Sequence, residues 1–367
     1  MISRKTAIQR LLLLGTFTLM AGRAVAQTPS PALIVTGSDK KPSDSVLQII
    51  DPVAKKVVAR IPLSGHPHQV AASADGKFAY VTEIAAGSQW LNYPTAGETK
   101  STAPLPEDTI SVVDLVAQKE VKVINVGPGS EPHDITVVRG KVFFTAEGYK
   151  ELGRYDPVAD RIDWRAGVGE NRVHQIVLTK DATKIFAANI GSDTVAALLP
   201  WDPAVDVQPY SLGHQPPPYN QTLIHVGKGP EGIALSPDEK EVWVLTRGNG
   251  GLSIIDASAR KVLQTIDLNT KDPLRIAFSP DGKTVLIDDA QSGDILILDA
   301  ATRKEIKRIN AVGKQIHAIV FRPDGLLAYA MSEGDNIIGV IDMKTLELVD
   351  RIPVGPGSDG MVWVVRQ

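Results

Sequence analysis

Asp272-Pro-Leu-Arg-Ile-Ala-Phe-Ser-Pro-Asp-Gly-Lys-Thr-Val-Leu-Ile-Asp-Asp-Ala-Gln-Ser-Gly-Asp-Ile-Leu-Ile-Leu-Asp299 decides how this chain folds. Short apolar runs are separated by Ser279-Pro-Asp-Gly282 and by a second polar turn, and the last run ends in an aspartate. Asp-Gly between β-rich runs predicts a hairpin, because glycine accepts positive φ without a Cβ clash.

The same pattern recurs along the chain. Turns of this kind stand at Ser73-Ala-Asp-Gly76, Ser236-Pro-Asp-Glu239 and Arg322-Pro-Asp-Gly325, and runs ending in aspartate at Ile49-Ile-Asp51, Val112-Val-Asp114, Ile254-Ile-Asp256 and Val340-Ile-Asp342. A fourth run, such as Lys261-Val-Leu-Gln-Thr-Ile266, follows. Aligning the copies on the residue two before a Val or Ile gives the markers His68, His133, His174, Glu231, Leu274, His317 and Gly360, spaced 65, 41, 57, 43, 43 and 43 apart. Four strands per 40-odd residues predict the blade of a β-propeller. The last run, Met361 to Val365, lacks its three following strands, while Leu33 to Gly37 begins as a second strand. Together they complete one blade. The expectation is a single all-β, seven-bladed propeller over 33–367, closed by one C-terminal and three N-terminal strands, with no open sheet edge.

Residues 1–26 stand apart from this pattern. Arg4, Lys5 and Arg10 precede an apolar stretch from Leu11 to Met20 and the small-residue signal Ala24-Val-Ala26, which reads as a secretory signal peptide cleaved before Gln27. Residues 27–32 form a flexible leader. The expected product is periplasmic or secreted, with no transmembrane segment in the mature chain. Without cysteine it can form neither a disulfide nor a thiolate metal site. Its 35 Lys/Arg against 42 Asp/Glu, a balance of −7, argue against a sequence-independent grip on nucleic acid. Gly-rich phosphate loops, nucleophile elbows and His-Glu-x-x-His helices are absent, and the Asp-Gly turns lack the ligand spacing of a calcium loop.

Two insertions interrupt the period. Ala85 to Asp108, with Trp90, separates strands two and three of the second blade; Pro200 to Asn220, with Trp201, Tyr210 and Pro216-Pro-Pro-Tyr219, separates strands three and four of the fourth. Strands alternate in direction, so the Trp90 loop should overhang the marker face and the Tyr219 loop the opposite one. Such aromatic loops would suit another protein of the cell envelope as partner.

Tyr80-Val-Thr-Glu83, with the looser Phe186-Ala-Ala-Asn189 and Trp243-Val-Leu-Thr246, resembles the strand motif of the YVTN-repeat propellers, as do the Ser-Pro-Asp-Gly turns and Val-Ile-Asp strand ends. The resemblance covers the whole mature chain and implies the propeller fold. Propellers of this type include surface and periplasmic binding proteins, lactonases, a carbon-oxygen lyase and the histidine-ligated copper propeller of nitrous oxide reductase, so the fold alone does not select a function.

The marker position does point to one place. Seven histidines in 367 residues would put about 0.13 in seven slots, yet four are there. Equivalent positions of a closed array surround one axis, so His68, His133, His174, Glu231 and His317 should meet at the mouth of the central channel. Imidazoles and a carboxylate suit a divalent transition metal, copper or zinc, or a small organic ligand. A bland alternative is that these imidazoles only bond blade backbone at the rim. At the ends of the second strands stand Glu83, Glu147, Asn189, Thr246, Asp289 and Ser332; Glu83, Glu147 and Asp289 are candidates to orient ligand imidazoles, whereas short polar side chains here also cap loops. Arg172, Arg247 and Arg275 fall near the same face. His174 and Glu231 as proton-transfer groups, with Arg275 or Arg172 as an electrostatic clamp, would serve a lactonase or lyase.

Overall fold

A computed structural model describes residues 31–38, 44–84, 107–202 and 219–365. The expected signal peptide and the Trp90 loop lie outside the described residues. Seven four-stranded antiparallel sheets are arranged as blades. Blade 1 is the composite one, with Met361–Val364 pairing to Ala32–Gly37, followed by Val46–Asp51 and Lys56–Pro62. Its seam runs in register from Val35 opposite Met361 to Ala32 opposite Val364. Blades 2 to 7 begin with His66–Ala72, Pro132–Val138, Val173–Leu178, Pro230–Leu235, Ile276–Phe278 and Ile316–Phe321. These first strands touch one another in succession around the ring, which makes them the innermost.

Burial follows from the stacking. Second and third strands are covered on both faces by neighbouring blades, so Ala32–Gly37 and Thr194–Leu199 are buried at every residue. A fourth strand such as Lys261–Asp267 lies at the rim and is mostly exposed. Seven apolar clusters result, one at each blade-to-blade seam; Leu33 and Val35 of blade 1 meet Ala318 and Tyr329 of blade 7 in the cluster that closes the ring.

The repeated turns do local work. Gly76 and Gly282 adopt φ +67° and +70°, and the preceding Asp75 and Asp281 accept hydrogen bonds from Ser73 Oγ (2.6 Å) and Ser279 Oγ (2.7 Å). The aspartates that end third strands cap the next turn: Asp51 Oδ1 accepts the N–H groups of Val53 (2.9 Å) and Ala54 (2.8 Å), and Asp256 those of Ser258 and Ala259. Both motifs are thus turn chemistry rather than cation sites. Tyr219, at the end of the second insertion, packs its ring against Trp164 at 5.7 Å and donates to the Ala182 carbonyl in a first-to-second-strand turn, on the face away from the markers.

Candidate functional site at the channel mouth

A β-bulge at the head of the first strand makes the site. In blade 2 the pairing jumps from Pro67 opposite Glu83 to Val70 opposite Val81, and the same slip occurs at Pro132/Ile135, Val173/Ile176, Pro230/Ile233 and Ile316/Ala318. His68, His133, His174, Glu231 and His317 all lie within these bulges. An extra residue there re-aims a side chain out of the sheet alternation, here toward the axis. Threonines of the preceding blade fix the bulged backbone: Thr36, Thr82 and Thr145 hydroxyls donate to the carbonyls of His68 (2.7 Å), His133 (2.7 Å) and His174 (2.9 Å). Blade 6 differs. Asp288 stands in place of the threonine and accepts from its own blade's Leu274 N–H (2.8 Å) and Arg275 N–H (2.6 Å), while Arg275 Nε reaches the His317 carbonyl of blade 7 (2.6 Å). Burial pushes the Asp288 carboxyl up to about 7 against the pull of those two amides.

Six of the seven marker residues, all but Gly360, line one cavity of about 210 Å³, together with Arg172, Arg247, Arg275, Ile190 and Asp359. Its geometry is a chain of imidazoles anchored by carboxylates. Ring centroids of His68 and His133 are 5.2 Å apart, and those of His133 and His174 3.8 Å. Asp359 joins His68 Nδ1 (2.8 Å) to His317 Nδ1 (3.2 Å). Glu147 accepts from His174 Nδ1, with Arg172 Nε at 3.4 Å on its other oxygen. Glu231 lies 3.5 Å from His174 Nε2, receives Arg247 at 3.1 Å, and faces Arg275 at 3.6 Å.

These neighbours divide the protonation states. Burial would lower His174, but the charge and hydrogen bond of Glu147, then those of Glu231, raise it to about 9. His133 is driven well below its ordinary value by burial and by His174 and His68 beside it. Burial alone would raise Glu231, yet His174, Arg275 and Arg247 bring it down to about 2. His317 is raised, since Asp359 outweighs its burial. The site therefore presents a neutral imidazole, His133, against a charged one, His174.

Asp359 is the participant that the marker alignment does not single out. It stands where the other copies have Pro67, Pro132, Val173, Pro230, Pro273 and Ile316, so a carboxylate at an otherwise apolar repeat position was the available signal. The carboxylates at the second-strand ends separate by register. Glu83 pairs with Pro67, but Pro132 pairs with Ala146, so Glu147 lies one residue further along than Glu83. One residue turns a strand side chain to the other face. Ile190 and Arg247, each one residue past Asn189 and Thr246, share that further position and line the cavity. Glu83 instead accepts from Thr109 (2.7 Å), and Asp289 from the N–H groups of Lys271 and Asp272 (both 3.1 Å). Asn189 bonds Thr194 (3.1 Å), and Ser332 donates to the Lys314 carbonyl.

A metal could be held here, since ligand atoms of His133, Glu147 and His174 come within 4.8 Å of one another. Glu147, however, already serves His174 and Arg172, and three guanidinium groups line the same cavity.

No family model matches the chain, so the YVTN-repeat resemblance rests on its motifs, and no curated protein matches by sequence. Solved structures do share the fold. A putative 6-phosphogluconolactonase from Bacteroides fragilis superposes with a TM-score of 0.67 at 14% identity, covering 92% of this chain and 99% of its own. The periplasmic gluconolactonase of Pseudomonas aeruginosa gives 0.65 at 14% identity, over 92% of this chain and 100% of its own. Dihydro-heme d1 dehydrogenase NirN in complex with DHE gives 0.61 at 18% identity, over 93% of this chain and 67% of its own. The fold is that of the seven-bladed propellers, a class with several chemistries. Among the described residues no helix is long and apolar enough to cross a membrane.

Proposed function

We propose that this chain is an exported propeller whose channel-mouth cavity binds a small organic anion and performs acid–base chemistry on it, of the kind that opens a lactone. The observation that carries this reading is the close His133–His174 pair, rings 3.8 Å apart and tilted by 33°, beside the buried Arg275 guanidinium. Two like groups whose surroundings push their protonation apart are what general base and general acid require. In hydrolysis, water adds to the lactone carbonyl carbon as its proton passes to the neutral His133 imidazole. The ring C–O bond then breaks and the leaving oxygen takes a proton from charged His174. Arg275, held by the His317 and Leu274 carbonyls, stabilises negative charge on the carbonyl oxygen. Asp359 and Glu147 orient the surrounding rings. Two of the similar structures carry lactonase names, in keeping with this reading.

The test is turnover of a lactone panel by the exported protein. His133→Gln should lower kcat/KM by roughly 10²-fold or more, the usual scale for a general acid or base. Absence of turnover by the wild-type chain on every lactone would overturn the assignment.

A second reading, a copper or zinc ion bound by His68, His133, His174 and His317, is favoured by one feature. Three of these rings face a carboxylate through Nδ1, the arrangement that orients imidazoles for a metal at Nε2. The three guanidiniums oppose a dication and rank this reading second. Elemental analysis of protein from its native compartment distinguishes them: near-stoichiometric metal that disappears in the His68/His133/His174 triple-alanine variant would favour it over the metal-free site.

A further inference from the structure

A second, larger cleft of about 590 Å³ opens beside the channel-mouth cavity, between blades 6 and 7. The two are contiguous, because Arg247, Leu274 and His317 form walls of both. The inner cavity, at about 210 Å³, is smaller than most ligand sites, which run from roughly 300 Å³ upward. A ligand reaching His133 and His174 therefore has room to continue outward in this direction.

The cleft brings Arg247, Lys271 and Lys314 together with Asp272, and Glu333 stands 3.6 Å from Nε2 of its His317 wall. Lys271 and Lys314 stand exposed at its edges, and among the described residues neither ammonium group forms an ion pair. Their backbones are pinned: Lys271 N–H donates to Asp289 (3.1 Å) and Lys314 N–H to Asp335 (2.9 Å). Asp272, the carboxylate in the lining, is engaged by Arg247, with Nη2 to Oδ2 at 3.1 Å. Gln291 and Gln315 add neutral amides, which donate to and accept from hydroxyl groups. Gln315 is held at φ +51° with its N–H on the Ala290 carbonyl (3.2 Å), so the loop that carries it has a defined shape.

We propose that the ligand of this protein is an elongated polyhydroxylated acid with two anionic groups, one in the channel-mouth cavity and the second in the blade 6–7 cleft on Lys271 and Lys314. This rests on the small-anion reading of the central site and adds the substrate class to it. Arg247, with Glu231 on one side and Asp272 on the other, stands at the partition and is shared by both halves of the ligand.

The experiment is calorimetric binding to the full mature chain of two matched probe pairs, gluconate against glucarate and galactonate against galactarate, each differing by a second carboxylate. The expected result is a preference of about tenfold for the dianion in at least one pair, shrinking at high salt because the lysines are exposed. Lys271→Ala/Lys314→Ala should bring the dianion to the affinity of its monoanion. Equal affinity within both pairs, no binding of any probe, or a preference that survives the double variant would overturn the proposal. Lactone turnover without a dianion preference sinks only the cleft assignment. A lysine-dependent preference without turnover sinks only the catalytic one.

Discussion

At the scale of single residues, His174 is the group on which the site's electrostatics turn. It contacts Glu147 through Nδ1 and faces Glu231 through Nε2, and it is almost fully buried. Its folded value of about 9 lies above the unfolded 6.5, so its stabilising contribution is complete below pH 6.5 and is lost as pH rises to about 9. Glu231, at about 2 against 4.5, contributes above pH 4.5 and loses that contribution as pH falls to about 2. The contribution of this pair is therefore complete between pH 4.5 and 6.5. Urea unfolding of the wild type should show an alkaline loss of up to about 3 kcal/mol, and His174→Gln should flatten that limb. An unchanged slope from pH 6.5 to 9 in the variant would contradict the coupling. The two shifts describe partly the same His174–Glu231 contact and are not additive.

Single residues also show what a repeat alignment can reach. His68, His133, His174, Glu231 and His317 were legible because one register position recurs with an improbable side chain. Glu147 was legible only as an irregularity, fourteen rather than fifteen residues after its marker. The short Arg139-Gly140 turn removes two residues from that hairpin, so a spacing of fourteen places Glu147 one strand position beyond Glu83 and turns it to the His174 ring, while Glu83 binds Thr109.

At the scale of elements, the bulge and the hairpin turn govern geometry. Four of the six first-to-second-strand turns use an Asp bonded by a Ser or Thr two residues before it, but blade 3 uses the two-residue link Arg139-Gly140, with Val138 opposite Lys141. Both residues have positive φ, +51° and +72°, the signature of a type I′ turn. Arginine is a poor occupant of that conformation and is exposed here. Arg139→Asn, giving the preferred Asn-Gly pair, should stabilise the protein by about 0.5–1 kcal/mol in urea unfolding. A loss of stability would show that the Arg139 side chain has a role that the turn geometry does not reveal. The bulges themselves are invisible in the hydrophobic pattern, because an added residue at a strand head leaves the alternation of the following residues intact.

At the scale of the whole molecule, the site and the closure of the ring are the same event. Asp359 comes from the residues just ahead of Met361–Val364, the strand that completes blade 1, and it joins His68 of blade 2 to His317 of blade 7. Removing 361–367 leaves Ala32–Gly37 with an unpaired edge and breaks the apolar cluster between blades 7 and 1. The truncated chain should self-associate on size-exclusion chromatography and lose its single cooperative thermal transition. A monomeric, cooperatively melting product would show that six complete blades hold the ring without its seam.

The sequence by itself determined the blade, the number of blades, the composite closure and the histidine register, because strand alternation and turn chemistry are local and repeat. Tertiary structure alone decided which polar groups meet. Asp359, the blade 6 exchange of Asp288 for threonine and the continuity of the cavity with the blade 6–7 cleft depend on contacts between residues far apart in the chain, and no periodicity encodes the partner across a seam. The central imidazoles were a pattern in the sequence. The division of His133 and His174 into a neutral and a charged ring follows from the burial and the carboxylates that folding places around them.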